Sequence, residues 1–74
     1  MIAETFGKVL QEIRMENHIS QEKLAEYSDL DRTYISLLER GLRQPTITTI
    51  FKLAKALKIS PSSLIEKVDH LTKE

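Results

Sequence analysis

Residues Gln21–Arg40, QEKLAEYSDLDRTYISLLER, constrain the fold of this 74-residue chain more than any other stretch. Leu24 and Ala25 in its first half, and Ile35 and Leu38 in its second, fall at helical spacing among polar residues. Between the halves, Ser28-Asp29-Leu30 leaves room only for a tight turn. Two short amphipathic helices joined this way must bury their apolar stripes against the rest of the chain. Ser20 and Asp31 stand where the helices begin, and a short oxygen-bearing side chain there accepts from an unpaired backbone N–H. Asp29 stands where the turn needs a positive φ, a region Asp tolerates better than most residues. Leu30 is expected to plug the turn into the core.

The flanking sequence supplies three more helices. The first is expected from Thr5 or Phe6 to Glu16, with Phe6, Val9, Leu10 and Ile13 inward and Thr5 as N-cap. Gly7 should weaken its first turn by up to ~1 kcal/mol, and Asn17 is the expected left-handed residue at its end. Ile19 then dips inward, the second helix covers Gln21–Ser28, and the third covers Arg32–Arg40, stopped by Gly41. After the loop Leu42-Arg43-Gln44-Pro45, Thr46 caps a fourth helix, Ile47–Leu57. Its apolar residues Ile47, Ile50, Phe51, Leu53, Ala54 and Leu57 make a wider stripe than one core contact needs. Ser60-Pro61 opens a fifth helix that should reach about Val68 and leave 70–74 as a frayed tail. With no alternating strand pattern and no repeat, the fold class is all-α, five helices in a single domain.

A domain this small buries only about 60% of the surface its unfolded chain exposes. The chain has no cysteine, so disulfides cannot compensate and a reducing, intracellular setting suits it. Self-association is the remaining source of buried area, with Phe51, Leu64, Ile65 and Val68 the expected dimer interface. The first residues lack a signal-peptide pattern, and no apolar run approaches the ~20 residues of a membrane helix. A soluble, cytoplasmic protein is expected. No nucleophile–base pair, glycine-rich phosphate loop or metal-ligand spacing is present, and His18 and His70 stand alone. Neither an enzyme nor a cofactor- or metal-binding protein is expected.

Net charge is zero, but the signs are segregated. Residues 1–31 carry three basic and seven acidic groups, whereas 32–58 carry six basic groups and only Glu39. The basic middle begins with the second helix of the opening pair, as a phosphate-facing side should. That helix also opens on Asp31-Arg32-Thr33-Tyr34, polar side chains at an N-terminal end, which is the layout of a helix-turn-helix that reads double-stranded DNA.

Arg32 is the expected direct reader, its guanidinium able to pair with guanine O6 and N7. Thr33 suits a thymine methyl or a phosphate, and Ser36 a base edge or phosphate one turn on. Tyr34 is open between packing on the domain and touching phosphate; Leu37 suits a thymine methyl if exposed and the core if buried. Gln21, at a helix N-terminus, is an expected phosphate anchor. Arg43, Gln44, Thr46 and Thr48 should clamp the backbone across the groove. The acidic Glu12, Glu16, Glu22 and Glu26 form either a solvated face or a surface for RNA polymerase.

Ile13-Arg14, Ser20-Gln21-Glu22-Lys23-Leu24-Ala25, Tyr34-Ile35-Ser36, Glu39-Arg40-Gly41 and Pro45-Thr46-Ile47, in this order, resemble the lambda-repressor-like (XRE-type) helix-turn-helix domains over nearly the whole chain. Leu30–Ser36 followed by Glu39-Arg40-Gly41 is most similar to the controller proteins of bacterial restriction–modification systems. The resemblance implies a homodimeric regulator on palindromic sites upstream of its own gene, activating at one occupancy and repressing at a higher one. It also implies a structural ion pair between Arg14 and Glu39. Asp29, in place of the usual turn glycine, and Leu37 depart from the pattern. A phage- or plasmid-type repressor is the second regulator reading, and an antitoxin-like protein-interaction module the rival from another class.

Overall fold

Leu10, Leu24, Ile35, Leu38, Leu53, Leu57 and Leu64 are almost completely withdrawn from water, and they come from every part of the chain. They are held together by five helices: α1 (Ile2–Glu16), α2 (Gln21–Ser28), α3 (Arg32–Glu39), α4 (Ile47–Ala56) and α5 (Pro61–Thr72). The structure, a computed structural model, describes residues 1–73, and among these no strand is formed. Helix α1 packs on α3 and α5, α2 packs on α3 and α4, and α4 closes against α5 around one core. Among the described residues no helix is long and apolar enough to cross a membrane.

The starts of α2 to α5 follow the local chemistry of their caps. Ser20 accepts from the Lys23 N–H, Asp31 from Thr33, Thr46 from Thr49 and Ser60 from Ser63, each with extended backbone. Proline at the first position of α5 removes an N–H that would be unpaired there.

α1 begins earlier than its apolar pattern suggests. Met1, not Thr5, is the N-cap, and the Thr5 hydroxyl instead donates to the Met1 carbonyl at 3.0 Å from within the first turn. Gly7 is buried where α1 crosses the end of α3. A Cβ there would lie 2.7 Å from the Glu39 carbonyl oxygen and closer still to that of Leu38. The residue that weakens α1 locally is therefore what lets the two helices touch.

Four helix ends also differ from expectation. Asn17 keeps right-handed geometry, with its side-chain amide on the Ile13 carbonyl at 2.8 Å, and His18 takes the positive φ. Helices α3 and α4 each end one residue early, at Glu39 and Ala56, with Gly41 and Lys58 in the left-handed region. α5 runs on to Thr72, so the expected tail is helical through His70 and Leu71; residue 74 lies outside the described residues. The buried stripe of α5 ends at Val68, and the further turn to Thr72 carries an exposed Leu71, so the apolar pattern does not mark where the helix stops. Asp29 takes φ 58°, as the turn requires.

Candidate nucleic-acid interface

Within α3, Ile35 and Leu38 face the core. Arg32 and Thr33 are exposed, and Tyr34, Ser36 and Leu37 are half-buried. The cap at Asp31 fixes this orientation, since its carboxylate holds the Thr33 N–H at 3.0 Å just where Arg32 leaves the helix. Arg32 lines a depression shared with Arg14, Ser20, Gln21 and Glu22. The starts of α2 and α3 thus lie beside one another, and N–H groups and positive helix ends share one face.

The scaffold below this face is a buried ion pair. Arg14 Nε donates to Glu39 Oε2 at 2.6 Å, and Nη2 donates to Oε1 at 3.1 Å. The third Arg14 nitrogen, Nη1, donates to the Ile19 carbonyl at 2.9 Å, tying the α1–α2 link to the same group. Glu39 is withdrawn from solvent and is not part of the outer face. Gln21 joins the cluster, its Nε2 donating to Glu39 Oε1 at 3.0 Å. Its amide therefore has one N–H committed inward and the other available to an anion.

Past α3, Arg43, Gln44, Thr46 and Thr48 are all exposed. Among the described residues Arg43 makes one bond, from Nη1 to the neighbouring Leu42 carbonyl at 3.3 Å. The Thr46 hydroxyl is occupied with Thr49, which it meets through both backbone and side chain. Thr49 is buried and lies 3.3 Å from the Tyr34 hydroxyl. Sequence reasoning missed Thr49; the only hint was a second threonine three residues after a threonine N-cap, a spacing common in unremarkable helices.

The basic segment does not form one face. Arg32 and Arg43 stand by the recognition helix, but Lys52, Lys55 and Lys58 line a separate groove with Asn17, Ile19, Tyr27 and Asp29. That groove lies where α1, α2 and α4 end, with Lys52 about 6 Å and Lys55 about 10 Å along α4 from Thr48. Lysines there offset the negative ends of three helices, which is why they gather there.

Of the four residues expected to join two chains, Leu64 and Val68 are buried in the chain's own core. They close α5 onto the bundle and are not available to a partner. Phe51 is 58% and Ile65 44% exposed. Phe51 shares a shallow apolar depression with Ile59 and Pro61. Ile47 and Phe51 on α4, and Pro61 and Ile65 on α5, are each one turn apart, so they extend this patch along both helices.

A family model described as helix-turn-helix matches residues 10–64, from the middle of α1 into α5. The chain belongs to this family. It is 45% identical over 62 residues to the control protein C.BamHI of Bacillus amyloliquefaciens, covering 82% of this chain and 76% of that one. The restriction–modification controller protein C.AhdI of Aeromonas hydrophila has a similar structure, with a TM-score of 0.82 at 45% identity, over 84% of this chain and 94% of that chain. The controller C.Esp1396I, solved as a tetramer with its natural 35-base-pair operator, matches with a TM-score of 0.86 at 36% identity over 95% and 92% of the two chains. The family, the XRE-type fold and the likeness to restriction–modification controllers are those that the sequence motifs imply.

Proposed function

We propose that this protein is the autoregulatory controller of a restriction–modification operon, a sequence-specific regulator that binds palindromic operators as a dimer. It is a binding protein, not an enzyme. The observation that carries the reading is the exposed pair Arg32 and Thr33 at the start of α3, beside Gln21 at the start of α2, with Arg43, Gln44 and Thr48 exposed in the segment that follows α3. Arg32 reads base edges, with Thr33, Ser36 and the exposed part of Leu37 beside it; Gln21 and the loop residues hold phosphates and fix the register. Tyr34 works at the boundary between the helix and the backbone clamp. A tetramer on its operator in the similar controller C.Esp1396I supports adjacent dimers on DNA as the bound form.

The dimer surface is the patch around Phe51 and Ile65. One recognition helix covers few base pairs, and two-fold pairing sets two of them about 34–36 Å apart along the duplex. RNA polymerase is the second partner when the protein activates, and the carboxylates Glu12, Glu16 and Glu26 are the surface assigned to it, whereas Glu22 lines the depression with Arg32. All four are exposed, and Glu12 and Glu16 share a groove with Glu66 between α1 and α5.

Anisotropy titration of the duplex upstream of the protein's own gene, against a scrambled duplex of the same length, tests the DNA reading. Binding to the upstream duplex should be at least about 10³-fold tighter and should weaken steeply with salt. Equal affinity for both duplexes would remove the sequence-specific function.

A further inference from the structure

The hydroxyls of Tyr34, Thr46 and Thr49 form a chain across the junction of α3 and α4. Thr46 Oγ1 accepts the Thr49 N–H at 3.1 Å and donates to Thr49 Oγ1 at 3.0 Å. Thr49 Oγ1 in turn lies 3.3 Å from the Tyr34 hydroxyl. Each hydroxyl has one proton to give, so the direction of the chain can be worked out.

Thr46 gives its proton to Thr49. Thr49 is only 6% exposed, and among the described residues no other acceptor is bonded to its hydroxyl. Its proton must go to the Tyr34 oxygen. Were Tyr34 the donor instead, the Thr49 proton would be stranded in a buried place, which is unfavourable. The Tyr34 oxygen is therefore occupied as an acceptor, and its own proton is left for a group outside the domain. Tyr34 is half-buried and follows directly on the exposed Arg32 and Thr33.

We infer that Thr49 is a positioning residue that fixes Tyr34 as a hydrogen-bond donor to an oxygen of bound DNA. The inference rests on the DNA-binding reading above and deepens it at one residue. A phosphate oxygen is the acceptor that best fits a donor between the recognition helix and the loop-side clamp; a base acceptor is the other source of the same chemistry. Thr49 itself touches no DNA. It acts by holding the phenol rotor before the duplex arrives, so less freedom is lost on binding.

Anisotropy titrations on the upstream duplex of wild type, Tyr34→Phe, Thr49→Val, Thr49→Ser and the Tyr34→Phe/Thr49→Val double variant test this, with a thermal melt of each. Tyr34→Phe should bind about tenfold more weakly or worse, because a donor to a charged oxygen is lost. Thr49→Val should lose about threefold or more, Thr49→Ser should bind like wild type, and the double variant should be no weaker than Tyr34→Phe alone. A merely structural threonine would change the melt without this coupling. Equal losses on upstream and scrambled duplexes identify a phosphate acceptor; a loss confined to the upstream duplex identifies a base. Folded Thr49→Val with wild-type affinity, or losses that add in full in the double variant, would overturn the inference. Should Thr49→Val fail to fold, Thr49→Ala carries the same outcomes. If wild type binds neither duplex, the DNA-binding reading falls first and this falls with it.

Discussion

Arg32 and Glu39 belong to the same short helix and have opposite relations to solvent, which sets what each can do. Arg32 is exposed beside the start of α2, whereas Glu39 is buried under Arg14 and Gln21. Arg32→Ala should leave the thermal melt within about 0.5 kcal/mol of wild type. The same change should cost about 1–3 kcal/mol of discrimination at one base pair per half-site. Selection of binding sites from a randomised half-site would show this as a relaxed position, and an unchanged preference would exclude Arg32 as the reader. Glu39→Ala leaves a buried guanidinium without its carboxylate, a loss on the order of 3 kcal/mol. In a domain of this size that lowers the melting midpoint by more than about 10 °C. A Glu39→Ala protein with an unchanged melt but altered site preference would reverse the assignment. The exposure of Arg32 and the pairing of Glu39 with Arg14 were legible from residue type and motif position. Thr49 was not, because a buried threonine inside a helix has no sequence mark until its neighbour across the fold is known.

At the level of elements, helix type and order follow from the spacing of apolar residues, and the cap residues Ser20, Asp31, Thr46 and Ser60 set four of the five starts. The ends were harder to read. Where α1 begins and α5 stops is not marked by burial, since Ile2 is 67% and Leu71 57% exposed in the added turns. Gly7 shows the difference most clearly. Helix propensity alone predicts that Gly7→Ala gains up to ~1 kcal/mol. The Leu38 and Glu39 carbonyls leave no space for a methyl group, so α1 and α3 must separate. The expected result is a loss of about 1–3 kcal/mol, measured by chemical denaturation. A stabilised Gly7→Ala protein would mean that the α1–α3 crossing is looser than this geometry.

For the whole molecule, the wide apolar stripe of α4 and the small size of the core both pointed to a second buried surface. Which side chains are free for it could not be read from the sequence, because buried and exposed apolar residues alternate along the same helices. Leu64 is fully buried, and its neighbour Ile65 is 44% exposed. Phe51→Glu should therefore give a folded monomer. Leu64→Ala should stay dimeric but lose about 2–5 kcal/mol of stability, as a cavity opens in the core. Sedimentation and melting of the two variants separate these effects, and a dimeric Phe51→Glu protein would move the interface elsewhere. The zero net charge likewise conceals two basic regions in separate places, one at the start of α3 and one among helix C-termini. The proposed regulation requires the first region to meet DNA as a two-fold pair. Footprinting of the wild-type protein on the DNA upstream of its own gene measures this directly. Two protected half-sites related by a dyad, about one helical turn apart, are predicted. Continuous, sequence-indifferent protection, or none at low salt, would contradict it.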